Sequence, residues 1–292
     1  MREYLNENTL FATVAMYVQE TSALVLVVEG DDDHLVLKHH CSSDLRLIAG
    51  VGGREQVLRA ATLASRRNLN GVRFLVDRDY DDYTFSDNEY EQNVCVSRGH
   101  DLFMDLLSGN PALLRRVIDV HSASVRRRPK ESHLPVPDPT SIEQEALELA
   151  SRLAAVRIVN VRRNLSLDFK RFSFGALNVR DFDTRVIAAM IMERSGYGPE
   201  QTAEVVQDSA QVFEEIQGRH DATVGDHDLF SALARVLRRY EVLVRDDVLH
   251  RSFIIGVDCA ALIAADWFRE IQRWCARNNR KGFTCREGTL AA

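Results

Sequence analysis

Glu29, Asp77 and Asp79 are the side chains whose types and spacing best fit chemistry. Glu29 closes the apolar run ALVLVV (Ala23–Val28), and Asp77-Arg78-Asp79 closes VRFLV (Val72–Val76). Runs of this kind read as buried parallel strands, and in open α/β sheets ligands bind at the carboxyl ends of the strands. A D-x-D pair on a continuing strand projects both carboxylates to one side, because strand side chains alternate with a period of two. Three hard oxygen donors in one crevice suit Mg²⁺, which keeps several waters and is held by a few carboxylates. Asp81 and Asp82 lie just downstream as supplementary donors. Asp31 and Asp32 read as solvent-facing charges suited to a helix start.

Other chemistries find less in the chain. His34, His100 and His227 stand near element ends but singly, where a histidine is more often a structural hydrogen-bonding group than an acid catalyst. No G-x-S-x-G elbow occurs. Cys41, Cys95, Cys259, Cys275 and Cys285 form no CxxC or Cys/His zinc pattern, so reduced thiols and a cytoplasmic location are expected. A phospho-accepting receiver domain also carries acids above a parallel sheet. It needs a Lys after a late strand, and none of the 4 Lys stands there.

The elements that must position these residues alternate. Strands are expected at Ala23–Val28, Leu45–Ala49, Val72–Val76 and Val94–Val96. Helices are expected at His34–His40, Arg54–Arg67 and Asp101–Leu107, with a glycine turn at Gly50, Gly52 and Gly53. Strand–helix alternation predicts a mostly parallel sheet covered by helices. Beyond a proline- and arginine-rich stretch the helical period dominates. Ser141 with Gln144 reads as a capping box for a helix over Ile142–Val156. Later helices are expected from Pro199 to Gln217, Asp226 to Tyr240, Asp246 to Ile255 and Asp258 to Asn278. Val156–Val161 and Phe169–Phe174 read as candidate strands. The resulting division is a sheet domain over 1–125, a linker over 126–140 and a mainly helical domain over 141–292.

The chain has 292 residues, 45% hydrophobic and 27% charged, which excludes disordered and collagen-like classes. No stretch matches a membrane helix, and the N-terminus lacks the apolar region of a secretory signal. The formal charge of −6 excludes a wholly basic nucleic-acid coat, yet the charge is uneven. Residues 1–114 carry a net −8, residues 115–180 a net +6 and residues 181–292 a net −4. Within the basic middle, Arg126, Arg127, Arg128, Lys130, Arg162 and Arg163 are the candidate contacts for a polyanion. The predominance of Arg, 33 against 4 Lys, fits phosphate forks and genome composition equally well.

The segments VLVVEGDDDHLVL (Val25–Leu37), LIAGVGGREQV (Leu47–Val57) and VRFLVDRDYDD (Val72–Asp82) together resemble a TOPRIM domain, the module shared by topoisomerases, primases and several nucleases. Its hallmarks are a Glu-Gly after the first strand, here Glu29-Gly30, and a D-x-D after the third, here Asp77-x-Asp79. Asp33 fills the place of an acid common in the nuclease branch, and Arg54 stands where related sequences often have Lys. The size and the segments GHDLFMDLL (Gly99–Leu107) and DHDLFSALARVL (Asp226–Leu237) resemble the stand-alone TOPRIM effector of the PARIS anti-phage system, encoded beside an ABC-type ATPase. Relatives often have Glu-Asn where this chain has Phe103-Met104.

The resemblance implies a metal-dependent nuclease. Glu29, Asp77 and Asp79 would be catalytic, and with Asp33 they would ligate Mg²⁺, or Mn²⁺ in its place. Glu29 would serve as general base or as metal ligand only. The implied substrate is nucleic acid, with tRNA favoured over DNA. The implied partners are the ABC-type ATPase and a second copy in an active homodimer, with no membrane. The alternative is a non-catalytic TOPRIM-like binding subunit of an ATPase complex.

Overall fold

The computed structural model describes residues 7–84, 89–127, 135–170, 172, 174–177 and 182–285. These fall into two compact units that interleave along the chain. The first takes residues 1–78, 88–110 and 257–292; the second takes 79–87 and 111–256. This differs from the expected division at residues 126–140. Helix α5 (Ala112–Arg126) runs up to that stretch and α6 (Pro139–Arg162) starts at its far end, and both belong to the second unit.

The first unit is built on a four-stranded, all-parallel sheet: β1 (Leu24–Val28), β2 (Leu45–Ala49), β3 (Val72–Val76) and β4 (Val94–Val96), in the order β2-β1-β3-β4. All five residues of β1 are buried, as a central parallel strand covered on both faces requires. On one face Val25, Val27, Val72, Phe74 and Val76 pack with Leu10 and Val14 of α1 (Glu7–Glu20) and with Val57, Ala60, Ala61 and Ala64 of α3 (Gly53–Arg66). The small alanines let α3 lie close to the sheet. Two further helices, α2 (Asp31–Leu37) and α4 (Leu102–Gly109), follow β1 and β4, and α12 (Cys259–Ala264) and α13 (Asp266–Arg277) return from the far end of the chain.

The second unit contains α5 and α6, then α7 (Thr184–Arg194), α8 (Pro199–Glu215), α9 (His220–Thr223), α10 (Asp226–Arg239) and α11 (Asp246–Gly256). Two local expectations are corrected here. Residues 156–161 are the last turns of α6 rather than a strand, because Ala154, Ala155, Ile158 and Val159 face the core at helical spacing beside Val205 and Val212. The cap of α6 is Asp138, not Ser141: its carboxylate accepts from the N–H groups of Thr140 and Ser141, and Pro139 occupies the first turn. Among the described residues, 169–174 form no strand; Phe174 opens a 3₁₀ turn.

The expected set of reduced thiols is also corrected. Cys259 and Cys285 form a disulfide, leaving Cys41, Cys95 and Cys275 as thiols. The bridge helps hold the C-terminal segment, which also pairs as an isolated bridge between Cys41 and Phe283 and donates from Thr284 N–H to the His40 carbonyl at 2.7 Å. The glycine turn after β2 is sterically required. A Cβ on Gly50 would lie 2.5 Å from Val57 Cγ2 and 2.9 Å from the Val28 carbonyl, and Gly52 adopts φ +90°.

Gly50→Ala is therefore expected to lower the unfolding free energy by about 1–3 kcal/mol, read by chemical denaturation; wild-type stability would show that α3 can move away. Opening the disulfide, by reduction or Cys285→Ser, frees a loop spanning 26 residues. The expected loss is roughly 3 kcal/mol on the chain-entropy account, read as a lower denaturation midpoint of the first unit.

Candidate metal centre

The strand order fixes where a site can form. From β1 the chain crosses to β2 on one side and β3 pairs on the other, so the carboxyl ends of β1 and β3 flank the topological switch point of the sheet. Val28 pairs in register with Leu75, which brings Glu29 and Asp77 together. The Glu29 carboxylate accepts from the Asp77 N–H at 3.2 Å.

Two helix starts add acids to this crevice. Asp33, in the first turn of α2, is buried and accepts from the Gly30 N–H at 2.9 Å. Asp101 is the N-cap of α4; it is buried, accepts from the Met104 N–H at 2.8 Å, and lies 3.4 Å from His100 Nδ1. Asp77 accepts from the Leu102 N–H at 2.9 Å, so the positive end of α4 points at it. Each of these four carboxylates thus has an oxygen anchored by a backbone N–H, which fixes its direction.

The electrostatics follow from this crowding. Burial pushes the Asp77 carboxyl well above the usual aspartate range, and the negative charges of Asp101, Asp33 and Glu29 push the same way; the Leu102 N–H opposes them. Behind the cluster, Arg54 donates from Nε to the Asp77 carbonyl at 2.8 Å and from Nη2 to the Tyr90 hydroxyl at 2.6 Å. Asp105 of α4 is buried and raised by that burial, although its carboxylate takes the N–H groups of Arg98 and Gly99.

Glu29, Asp33 and Asp101 thus lie near enough to Asp77 for their charges to act on it, whereas Asp79 sits on the turn beyond the strand. The strand stops at Val76 and Asp79 adopts φ +51°, so strand alternation does not govern the D-x-D pair. Asp79 opens the 79–87 excursion assigned to the second unit, with Asp81 and Asp82 in its 3₁₀ turn. Burial works against the Arg157 charge there, and it is outweighed by Asp228, which Arg157 pairs at 2.7 and 3.0 Å, with smaller help from Tyr80 and Asp79. Sequence reasoning missed Asp101, although an Asp directly before LFMDLL is a standard N-cap signal.

The expected polyanion contacts are largely tied to acids. Arg126 pairs with Asp119 at 2.6 Å, Arg162 with Glu215 at 3.0 Å, and Arg163 with Asp208 and Glu204 at 2.6 and 2.7 Å. Arg127 caps the end of α5 and is exposed; Arg128 and Lys130 lie outside the described residues. A second set of cations, Arg269, Arg273, Arg280 and Lys281, lines a groove of about 830 Å³. Arg280 donates to the Ser22 carbonyl and the Lys281 N–H to Asp44, which places this groove at the amino end of β1, away from Glu29.

Between about 3.9, the ordinary aspartate value, and its raised value, Asp77 keeps its proton in the folded chain and loses it in the unfolded one. The folded state then binds more protons, so its stability falls as pH rises through that window. Asp77→Asn is expected to flatten this slope and to raise the melting temperature of the metal-free protein at neutral pH by roughly 2–4 °C for each kcal/mol relieved. A lower melting temperature at neutral pH would contradict the like-charge account. Among the described residues no helix is long and apolar enough to cross a membrane. Comparison with protein-family models and with curated proteins gives no match for the chain.

Proposed function

We propose that the protein is a metal-dependent phosphodiesterase of the TOPRIM type, acting on nucleic acid as the toxic effector of an anti-phage system. The observation that carries this reading is the convergence of Glu29, Asp33 and Asp77, with Asp101, at the switch point of a parallel sheet. Four hard oxygen donors, three of which raise the proton affinity of the fourth, Asp77, fit Mg²⁺ or Mn²⁺, because a divalent cation relieves the repulsion that now favours a proton on Asp77. When bound, the ion supplies Lewis-acid polarisation of the scissile phosphate and charge neutralisation of the leaving oxygen.

The chain's own groups do the rest. Asp77 and Asp33, whose carboxylates are anchored by backbone N–H groups, would hold the ion, and Asp101 would add a donor that the TOPRIM resemblance did not include. Asp79, which the resemblance would add, belongs to the second unit and is not part of the proposed set. Glu29, held by the Asp77 N–H, is oriented to ligate or to accept a proton from an attacking water. His100 Nδ1 stands 3.4 Å from the Asp101 carboxylate. RNA, with tRNA first, is the proposed substrate, and an ABC-type ATPase encoded beside this chain is the proposed restraint on its toxicity.

A second reading, a non-catalytic binding subunit of the same complex, is favoured by one observation: Arg162 and Arg163 are already neutralised by acids. Cleavage assays on tRNA and on duplex DNA with Mg²⁺ separate the two. Glu29→Gln and Asp77→Asn are expected to lower the rate by about 10³-fold or more and to abolish toxicity while remaining folded. Cleavage of DNA alone would move the substrate assignment. Unchanged toxicity in both folded variants would overturn the nuclease reading.

A further inference from the structure

We propose that Asp226, His227 and His250 form a second metal site, selective for a borderline first-row divalent ion such as Zn²⁺, lying wholly within the helical unit. Helix α10 starts at Asp226 after Gly225, so Asp226 and His227 occupy its first two positions. Helix α11 packs against α10 and brings His250 to the same end. One carboxylate oxygen and one nitrogen from each imidazole all lie within 4.8 Å of one another. His250 Nε2 is 3.0 Å from Asp226 Oδ2, and the two imidazole rings are 5.4 Å apart, centre to centre. Ligand atoms around a tetrahedral ion with bonds of about 2.0–2.1 Å stand roughly 3.3 Å apart, a spacing close to that of this set.

The surroundings distinguish this group from a plain Asp–His hydrogen bond. Asp226 and His250 are buried, and the His250 ring is seated against Phe230, 4.9 Å between centres, which is itself backed by Phe253 at 5.5 Å. Such a wall holds an imidazole in one orientation. An Asp–His pair needs no third member, yet the exposed His227 presents its ring to the same point. Two imidazoles and one carboxylate match Zn²⁺ and its neighbours, whereas Mg²⁺ and Ca²⁺ take oxygen ligands. Three protein ligands with one of them at the surface leave a further coordination position toward solvent, the arrangement of an open rather than a closed zinc site.

The test uses the full chain, purified without reductant so that the Cys259–Cys285 disulfide stays closed, with Zn²⁺ measured by competition against a chromophoric chelator. One Zn²⁺ per chain is expected, with affinity reduced by on the order of tenfold or more in His227→Ala and in Asp226→Asn. His227 is exposed, so its variant should keep the metal-free melting temperature while losing the Zn²⁺-induced rise. Excess Mg²⁺, which takes oxygen ligands, should leave Zn²⁺ binding unchanged, which separates this site from the carboxylate cluster. The proposal is overturned if no stoichiometric binding occurs or if His227→Ala binds unchanged. It is equally overturned if binding appears only after reduction, which would assign the ion to His40, Cys259 and Cys285.

Discussion

The first unit depends on the parallel pairing of β1 with β3. A central strand whose neighbours leave in opposite directions opens a crevice at its carboxyl end. Whatever follows β1 and β3 must then satisfy backbone groups that the sheet has stopped pairing. In this protein carboxylates do so: Glu29 takes the Asp77 N–H, and Asp77 takes the first-turn N–H of α4. The acidic cluster is therefore part of how the sheet ends. It is also the place where charge is most crowded, so the fold and the proposed chemistry use the same bonds.

That double use has a cost. Asp77 ionises against burial and three neighbouring carboxylates, and the Leu102 N–H opposes them. The close approach of backbone to backbone around the crevice adds a second constraint, since Gly50 admits no side chain beside Val28 and Val57. A chain optimised for stability alone would place an amide or an apolar group at position 77. Retaining a carboxylate there is the sort of local conflict that functional sites carry.

Much of this was legible in the sequence because the signals are local. Leu45–Ala49, Val72–Val76 and Val94–Val96 lie at the observed bounds, since short apolar, β-branched runs bounded by turn residues leave little choice. Glu29 and Asp77 were found from their positions after such runs. Asp79 shows the limit of the same logic: alternation predicts its direction only while the strand continues, and the strand ends three residues earlier. Asp101 is not distinguished as a ligand in the sequence, because a capping residue and a ligand look alike in one dimension. The end of α6 reads as a strand because four of the six residues in Val156–Val161 are β-branched and apolar, and packing of Ile158 and Val159 with Val205 and Val212 overrides that preference.

The interleaving of the two units was not legible at all, and the physical reason is general. Composition and periodicity describe neighbours in sequence, whereas the sheet unit is completed by residues 257–292, more than 140 positions after Asn110. Trp267, Phe268, Ile271, Trp274 and Cys275 are buried, and Gly109 admits only a hydrogen beside Ala261 and Ala264. The late helices thus belong to the same packed body as α4, and α4 carries Asp101. The C-terminal segment is in turn tied to α12 through Cys259 and Cys285 and to the region after α2 through His40 and Cys41. Truncating the chain after the helical unit would consequently remove part of the support of α4, whose first-turn N–H and N-cap carboxylate both act on Asp77. The acidic cluster is set by the whole interleaved unit, not by the 23–107 segment that carries its recognisable residues.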